Sequence, residues 1–397
     1  MGRLKRLPRC LGTVPRNPLR PLTSFLMKTE QIALSPLAPG ASLSLTVQRF
    51  GKEGARPRVY VQAALHADEI PGMIAAHHLR ERLIALEAEG RIEGEIVLVP
   101  SANPIGLAQR VLGDHIGRFN LADGLNFNRG YPYLVPKVAD RVEGKLTQEA
   151  QANVRLIREA LRAELDAWET GDPAEAMKKA LLKLAIEADI VLDLHCDAEA
   201  VEHLYTHTRS AEEFAPLAAL IGAQAYLLAD ESGDDPFDEA CSRPWAELAD
   251  RFRDHPIPFG CHSTTLEFRG ERDVSHELAR RDAAALIAYM TLRGVIAGEV
   301  PPIPAPRCEP TPLAASEPVP APATGIVVFQ AEVGDRVKAG DVIADIVDPH
   351  AGTVTQAKSP CDGVVFARIA LRFVTQGARL AKVAGTTAKR SGKLLGA

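Results

Sequence analysis

The sequence predicts an α/β domain built on a largely parallel sheet flanked by helices, followed by a smaller all-β domain. Three observations carry that expectation. Short β-branched and apolar runs at 57–66, 95–100, 190–195 and 263–268 alternate with helix-patterned stretches. A stretch with nine prolines, 301–322, then interrupts the pattern. Beyond it, short Val- and Ile-rich runs are punctuated by Gly-Asp turns.

Each element has a local reason. PRVYVQAALH (57–66) reads as a strand buried on both faces, because its apolar residues do not alternate with polar ones. A helical pattern follows over 72–89, and EIVLVP (95–100) is the next strand. Residues 147–188 are rich in Ala, Leu, Glu, Lys and Arg, with Gly171-Asp172-Pro173 as a break. They predict two helices, Pro173 lying near the start of the second. IVLDLH (190–195) is a third buried strand, 214–229 a helix and short strand, 263–268 a strand, and 276–293 the closing helix. The domain so defined spans 29–300. Residues 301–322 predict an extended, poorly packed linker, 323–386 the β-domain, and 387–397 a basic, frayed tail.

Composition narrows the function classes. The chain of 397 residues is 46% hydrophobic and 24% charged, which allows a sizeable core and excludes wholesale disorder. Its 46 Lys plus Arg against 51 Asp plus Glu leave a formal charge of −5, which gives no reason to expect nucleic acid as a partner. No apolar run is long enough to predict a membrane span. Six cysteines without a C-x-x-C pair predict neither a disulfide framework nor a zinc ribbon, and make a reducing, cytoplasmic setting the expectation. Residues 1–28 carry seven basic groups, four prolines and no acid, and predict a disordered extension with the working protein beginning near Met27.

The C-terminal segment resembles the barrel-sandwich hammerhead of lipoyl and biotinyl carrier domains, through VGDRVKAGDVIA (333–344) and SPCDGVV (359–365). In those carriers the modified lysine sits at a hairpin tip between the two halves. Here the tip falls at 349–352 without a lysine, and Lys358 abuts the next strand. A packing or substrate-shaping role is therefore expected, not a swinging arm.

His66-Ala-Asp-Glu69 stands at the end of the first strand. A histidine and a carboxylate three residues apart on a strand-to-loop turn can reach one metal ion. A second H-x-x-E, His78 to Glu81, falls inside an exposed-looking helix and reads as surface decoration. Position separates them: in open α/β sheets ligands bind at the carboxyl ends of strands. His195 ends the run IVLDLH at another carboxyl end, and catalytic zinc takes three protein ligands. Asp193 shares its face and could orient a ligand. Either strand-end histidine could instead be structural. Glu267, in TTLEFR (264–269), is a carboxylate within a buried strand pattern. It needs a salt bridge, for which Arg269 is placed, or a role as general base and acid. The Gly/Asn/Asp-rich loop 117–131 carries Arg118 and Arg129, whose forks suit carboxylates or an oxyanion; the alternative is a solvated loop.

Together these residues resemble the succinylglutamate desuccinylase/aspartoacylase family, a branch of the zinc-carboxypeptidase-like fold. The resemblance rests on HADE (66–69), NPIG (103–106), NFNR (126–129), DLH (193–195) and TLE (265–267), in that order. It implies a zinc-carboxypeptidase-like mixed sheet and one zinc ion (Zn2+) bound by His66, Glu69 and His195. It further implies that Glu267 activates the zinc water and that Asn128 and Arg129 bind a substrate carboxylate. Arg118, followed by Phe119, would polarise the scissile carbonyl. Its gap to Arg129 is longer than in the better-known members, which keeps Arg110 as a substitute. The implied activity is hydrolysis of the amide bond of an N-acyl amino acid, a small-molecule substrate. A metallocarboxypeptidase or esterase acting on a larger substrate, and a non-catalytic binding protein, are the alternatives. Residues 234–245 are expected to line the pocket, with Arg243 as their one basic group.

Overall fold

The computed structural model describes residues 27–395, so the basic extension expected at 1–28 lies almost wholly outside the described residues. Along the chain come β1 (Lys28–Leu34), β2 (Leu43–Gly51), β3 (Arg58–Ala63), α1 (Ile70–Ala88), β4 (Glu95–Val99) and α2 (Pro104–Ala108). A small hairpin, β5 (Arg110–Val111) and β6 (Asp114–His115), precedes α3 (Val135–Val142), α4 (Ala150–Ala167) and α5 (Pro173–Ala185). Then follow β7 (Ile190–Asp197), β8 (Glu199–Ala200), β9 (His203–Thr206), α6 (Ala211–Ile221), β10 (Ala225–Leu228) and α7 (Phe237–Arg251). The domain closes with β11 (His262–Gly270), α8 (His276–Leu292) and β12 (Pro310–Pro312).

Nine strands form one mixed sheet in the order β1-β2-β4-β3-β7-β11-β9-β10-β12. Its centre, β4-β3-β7-β11, is parallel, as the apolar runs predict. Side chains alternate across it. Tyr60, Val97 and Val191 enter a core with α3, α4, α5 and α7, while Val59, Val61, Ile96 and Leu192 enter a second core with α1, α6 and α8. Helix α5 starts where Pro173 suggests, with Asp172 accepting from the Ala174 and Glu175 amides. Among the described residues no helix is long and apolar enough to cross a membrane.

The proline-rich stretch differs from the loose linker expected of it. Pro310–Pro312 is the edge strand β12, parallel to β10, and Leu313, Ala315 and Val319 are buried. Prolines are tolerated there because an edge strand has a side that needs no amide donor. The apolar residues between them supply the packing that composition hides.

Two small sheets make the C-terminal domain. One is β13 (Ser316–Pro320), β20 (Arg379–Ala384), β18 (Gly363–Arg368) and β15 (Arg336–Val337); the other is β17 (Thr353–Lys358), β16 (Val342–Asp348), β14 (Gly325–Phe329) and β19 (Phe373–Val374). They enclose Val327, Ile343, Ile346, Val365, Leu380 and Val383. This domain docks firmly. β18 pairs with β8, Arg368 and Arg372 each meet the Glu199 carboxylate at 2.6 Å, and Lys382 pairs with Asp197. The described part of the tail, up to residue 395, is pinned, not frayed: Leu394 is buried, its amide donates to the Ser232 carbonyl at 2.8 Å, and Lys393 pairs with Asp234.

Candidate active site

The site forms at the carboxyl ends of β3, β7 and β11. After β3, Ala64 adopts φ +60°, a left-handed conformation costly for a residue with a Cβ, and the chain turns off the sheet at His66. Glu69 is the N-cap residue of α1. Asn103 braces this turn, giving its Nδ2 to the Leu65 carbonyl (2.8 Å) while its Oδ1 caps the Gly106 amide (2.8 Å). That explains the NPIG motif.

The structure brings the three expected metal ligands together, all buried. His66 Nδ1 lies 2.8 Å from Glu69 Oε1, and His195 Nδ1 lies 2.6 Å from Glu69 Oε2. The outer ring nitrogens also meet oxygens. His66 Nε2 is 2.8 Å from Asn126 Oδ1, whereas His195 Nε2 has only an ion-pair contact, 3.0 Å from Asp193 Oδ2, without hydrogen-bond geometry. Asp193 is in turn held by Gln62 (2.9 Å), and Gln62 by the Tyr60 hydroxyl (2.8 Å), neighbours on β3. Outer partners of this kind fix the ring and tautomer of metal-binding histidines. Arg118 Nη1 donates to Glu69 Oε1 (3.0 Å) and approaches His66 Nδ1 (3.2 Å). An amide oxygen only accepts, so Nε2 carries a proton toward Asn126, while Nδ1 faces both the Glu69 carboxylate and the Arg118 guanidinium. Burial alone would raise the Glu69 carboxyl, but both histidines outweigh it and hold it well below the usual carboxylate range.

Glu267 pairs in register with His195 across β7 and β11 and opens onto the same pocket. Its Oε2 is buried and has no hydrogen-bond partner among the described residues. Burial first, then the nearby Glu69, pushes the carboxyl up to about 8. The alternative salt bridge to Arg269 does not form. The ladder shifts between Glu267 and Gly270, Arg269 takes φ +61°, and its guanidinium turns to Asp282 (2.5 and 3.0 Å) and Glu202 (3.1 Å).

Asn128 and Arg129 line the pocket with Arg118. Asn128 Oδ1 accepts from the Phe237 amide (2.9 Å) at the start of α7, and Arg129 donates to the Asn128 carbonyl (2.6 Å). Arg110 is not among the lining residues; it lies on the exposed hairpin and bonds the Leu107 and Gln109 carbonyls. Arg243 also lies outside this pocket, tied to Glu231, Asp235 and Glu247 and stacked on Tyr133. Pro236, Asp238 and Glu239 represent its segment in the wall.

Sequence reasoning missed the far wall. Arg379, Lys382, Leu313 and Leu395 reach the pocket from the C-terminal side. Opposite β13, one residue of β20 is extra between Arg379 and Ala381. Such a bulge lets residues three apart share a face, so Arg379 and Lys382 both turn to the pocket. No local motif signals this.

The sequence matches the catalytic domain family of succinylglutamate desuccinylase and aspartoacylase over residues 55–293. No relative is found among the curated proteins. A solved protein of this family from Shewanella amazonensis SB2B shares 29% identity, covering 90% of this chain and 98% of its own, with a TM-score of 0.80. A second, from Shewanella frigidimarina NCIMB 400, shares 26% identity over 91% of this chain and 97% of its own, with a TM-score of 0.80. The ectoine utilization protein EutE (DoeB) of Ruegeria pomeroyi, 17% identical over 95% of this chain and 100% of its own (TM-score 0.65), shares the fold. On the sequence match and the shared architecture, the chain belongs to the succinylglutamate desuccinylase/aspartoacylase family, whose members are hydrolases.

Proposed function

We propose that the protein is a zinc-dependent hydrolase that cleaves the amide bond of an N-acyl amino acid. The convergence of His66 Nδ1, His195 Nδ1 and the Glu69 carboxylate on one buried point, beside the unpartnered Glu267 Oε2, carries this reading. Two nitrogens and a carboxylate, with the outer nitrogen of His66 braced by Asn126, fit one zinc ion, so His66, Glu69 and His195 are its proposed ligands. When bound, the ion supplies Lewis-acid polarisation of a carbonyl and an acidified water.

The protein's own groups complete the chemistry. Glu267 accepts the proton of the attacking water at Oε2 and returns it to the leaving amine; a carboxyl poised near neutral pH suits both transfers. Arg118 stabilises the oxygen that gains negative charge as the carbonyl carbon is attacked, an interaction worth about 3–4 kcal/mol. Arg129 binds the substrate carboxylate with the Asn128 amide and so fixes register. Arg379 and Lys382 extend the cationic wall from the C-terminal domain. The five described cysteines are free, which supports a reducing, cytoplasmic setting.

Metal analysis is expected to find zinc at His66, Glu69 and His195. Glu267→Gln should keep it while losing at least about 10²-fold in hydrolysis. A panel of N-acyl amino acids, short peptides and esters identifies the bond class. Undiminished hydrolysis by Glu267→Gln overturns the assignment of the base.

A further inference from the structure

We infer that the protein carries a second site for a divalent transition-metal ion, on α1, formed by His77, His78 and Glu81 and oriented by His276. The sequence suggests that the second H-x-x-E faces solvent. In the structure His78 is only 7% exposed, because α8 lies along α1 and its first residue, His276, covers the ring with centroids 5.1 Å apart.

Both ring nitrogens of His78 meet a polar atom. Nδ1 lies 2.9 Å from Glu81 Oε2, and Nε2 lies 2.9 Å from His276 Nδ1. His77 places Nε2 3.6 Å from the other Glu81 oxygen, Oε1. Glu81 follows the two histidines by three and four residues, the spacings that stack side chains on one helix face. One nitrogen from each histidine and the carboxylate thus lie within 4.8 Å of one another. Ligands about 2.0–2.1 Å from a tetrahedral ion stand about 3.3 Å apart, and the separations of 2.9 and 3.6 Å bracket that value.

A nitrogen lone pair and a carboxylate oxygen repel at 2.9 Å unless a positive charge lies between them. A proton on Nδ1 fills that place, and so does a metal ion. His276 decides where the ring points: by engaging Nε2 it keeps Nδ1 toward Glu81, as outer partners of metal-bound histidines do. With the ion on Nδ1, the single proton of neutral His78 sits on Nε2 and is donated to His276 Nδ1, which accepts it as the Nε2–H tautomer. Two imidazoles and one carboxylate favour zinc, cobalt or nickel over calcium or magnesium. The site lies eight to nine residues along α1 from Glu69, about 13 Å of helix rise, so the two ions would be separate.

The test compares the full chain with His77→Gln, an exposed position, after dialysis of each against zinc and against Co(II) at micromolar concentration. The wild type is expected to retain one more ion per chain than the variant. His276→Asn should weaken the same binding event by about 10- to 100-fold. Equal ion counts in the wild type and His77→Gln overturn the inference. Because the readout is a difference of one ion, it is independent of whether the buried site holds zinc or catalyses hydrolysis.

Discussion

Replacing Gly117 by alanine is expected to damage stability and activity together. A Cβ at this position would lie 2.1 Å from the Asp68 backbone nitrogen, and 2.6 and 2.9 Å from the carbonyl carbon and Cα of Ala67. These are main-chain atoms of the turn that carries His66 and Glu69, so no side chain can swing aside. Real Cβ contacts start near 3.0 Å, and the loop must therefore part from the turn by about 1 Å, a shift on the scale that overpacking imposes. The movement stretches two hydrogen bonds of 3.0 Å, from the Ala67 amide to the Gly117 carbonyl and from the Gly117 amide to Asp68 Oδ2. At about 1 kcal/mol per bond, plus about 1–3 kcal/mol for overpacking, the variant should be about 3–5 kcal/mol less stable. Arg118 moves with its neighbour and leaves Glu69, and a displacement of about 1 Å costs about 10²-fold in rate. Urea denaturation followed by circular dichroism measures the first effect, and initial rates on the folded fraction measure the second. A variant within about 0.5 kcal/mol of wild type, with unchanged kcat, would refute the idea that close approach at Gly117 holds Arg118 in place.

Two further outcomes follow from buried and pocket-lining groups. His203 packs on Phe366 of β18 at 5.0 Å, and burial, only partly opposed by Asp197, pushes its imidazole down to about 4. The unfolded chain takes up this proton near pH 6.5 and the folded chain only near 4, so the contribution is complete above about 6.5 and is lost on acidification through that window. The loss is at most about 3 kcal/mol, and urea midpoints of His203→Gln should lack this slope. Arg379 is exposed and lines the pocket. Arg379→Ala should raise KM for a carboxylate-bearing substrate several-fold with Tm unchanged; an unaltered KM in steady-state assays removes Arg379 from the binding wall.

What could be read from the sequence follows the range of the forces involved. His66, His195 and Glu267 were legible because each closes or interrupts an apolar strand run, and Glu69 because it follows His66 by three residues at the strand-to-helix turn; a parallel sheet brings the ends of such strands together. Pro173 and Asp172 marked a helix start by local bonding alone. The edge strand at Pro310–Pro312 was hidden, since proline content argues for an extended chain whether or not a partner strand waits beside it. The burial of His78 depends on α8, almost two hundred residues later in the chain. The pocket-facing turn of Arg379 and Lys382 depends on a ladder irregularity between β13 and β20, which leaves no periodic trace.

The docking of β18 on β8 also bears on the order in which the molecule is made. The contacts that dock the C-terminal domain are distant in sequence: Glu199 and Arg368 are separated by 169 residues, Asp197 and Lys382 by 185. A growing chain possesses His66, Glu69 and His195 long before β20 has been synthesised. Pairings across such long loops form late because their closure entropy must be offset first. Donor assembly and pocket closure are thus separate events in the life of the chain, and the proposed cationic wall of Arg379 and Lys382 is complete only with the second.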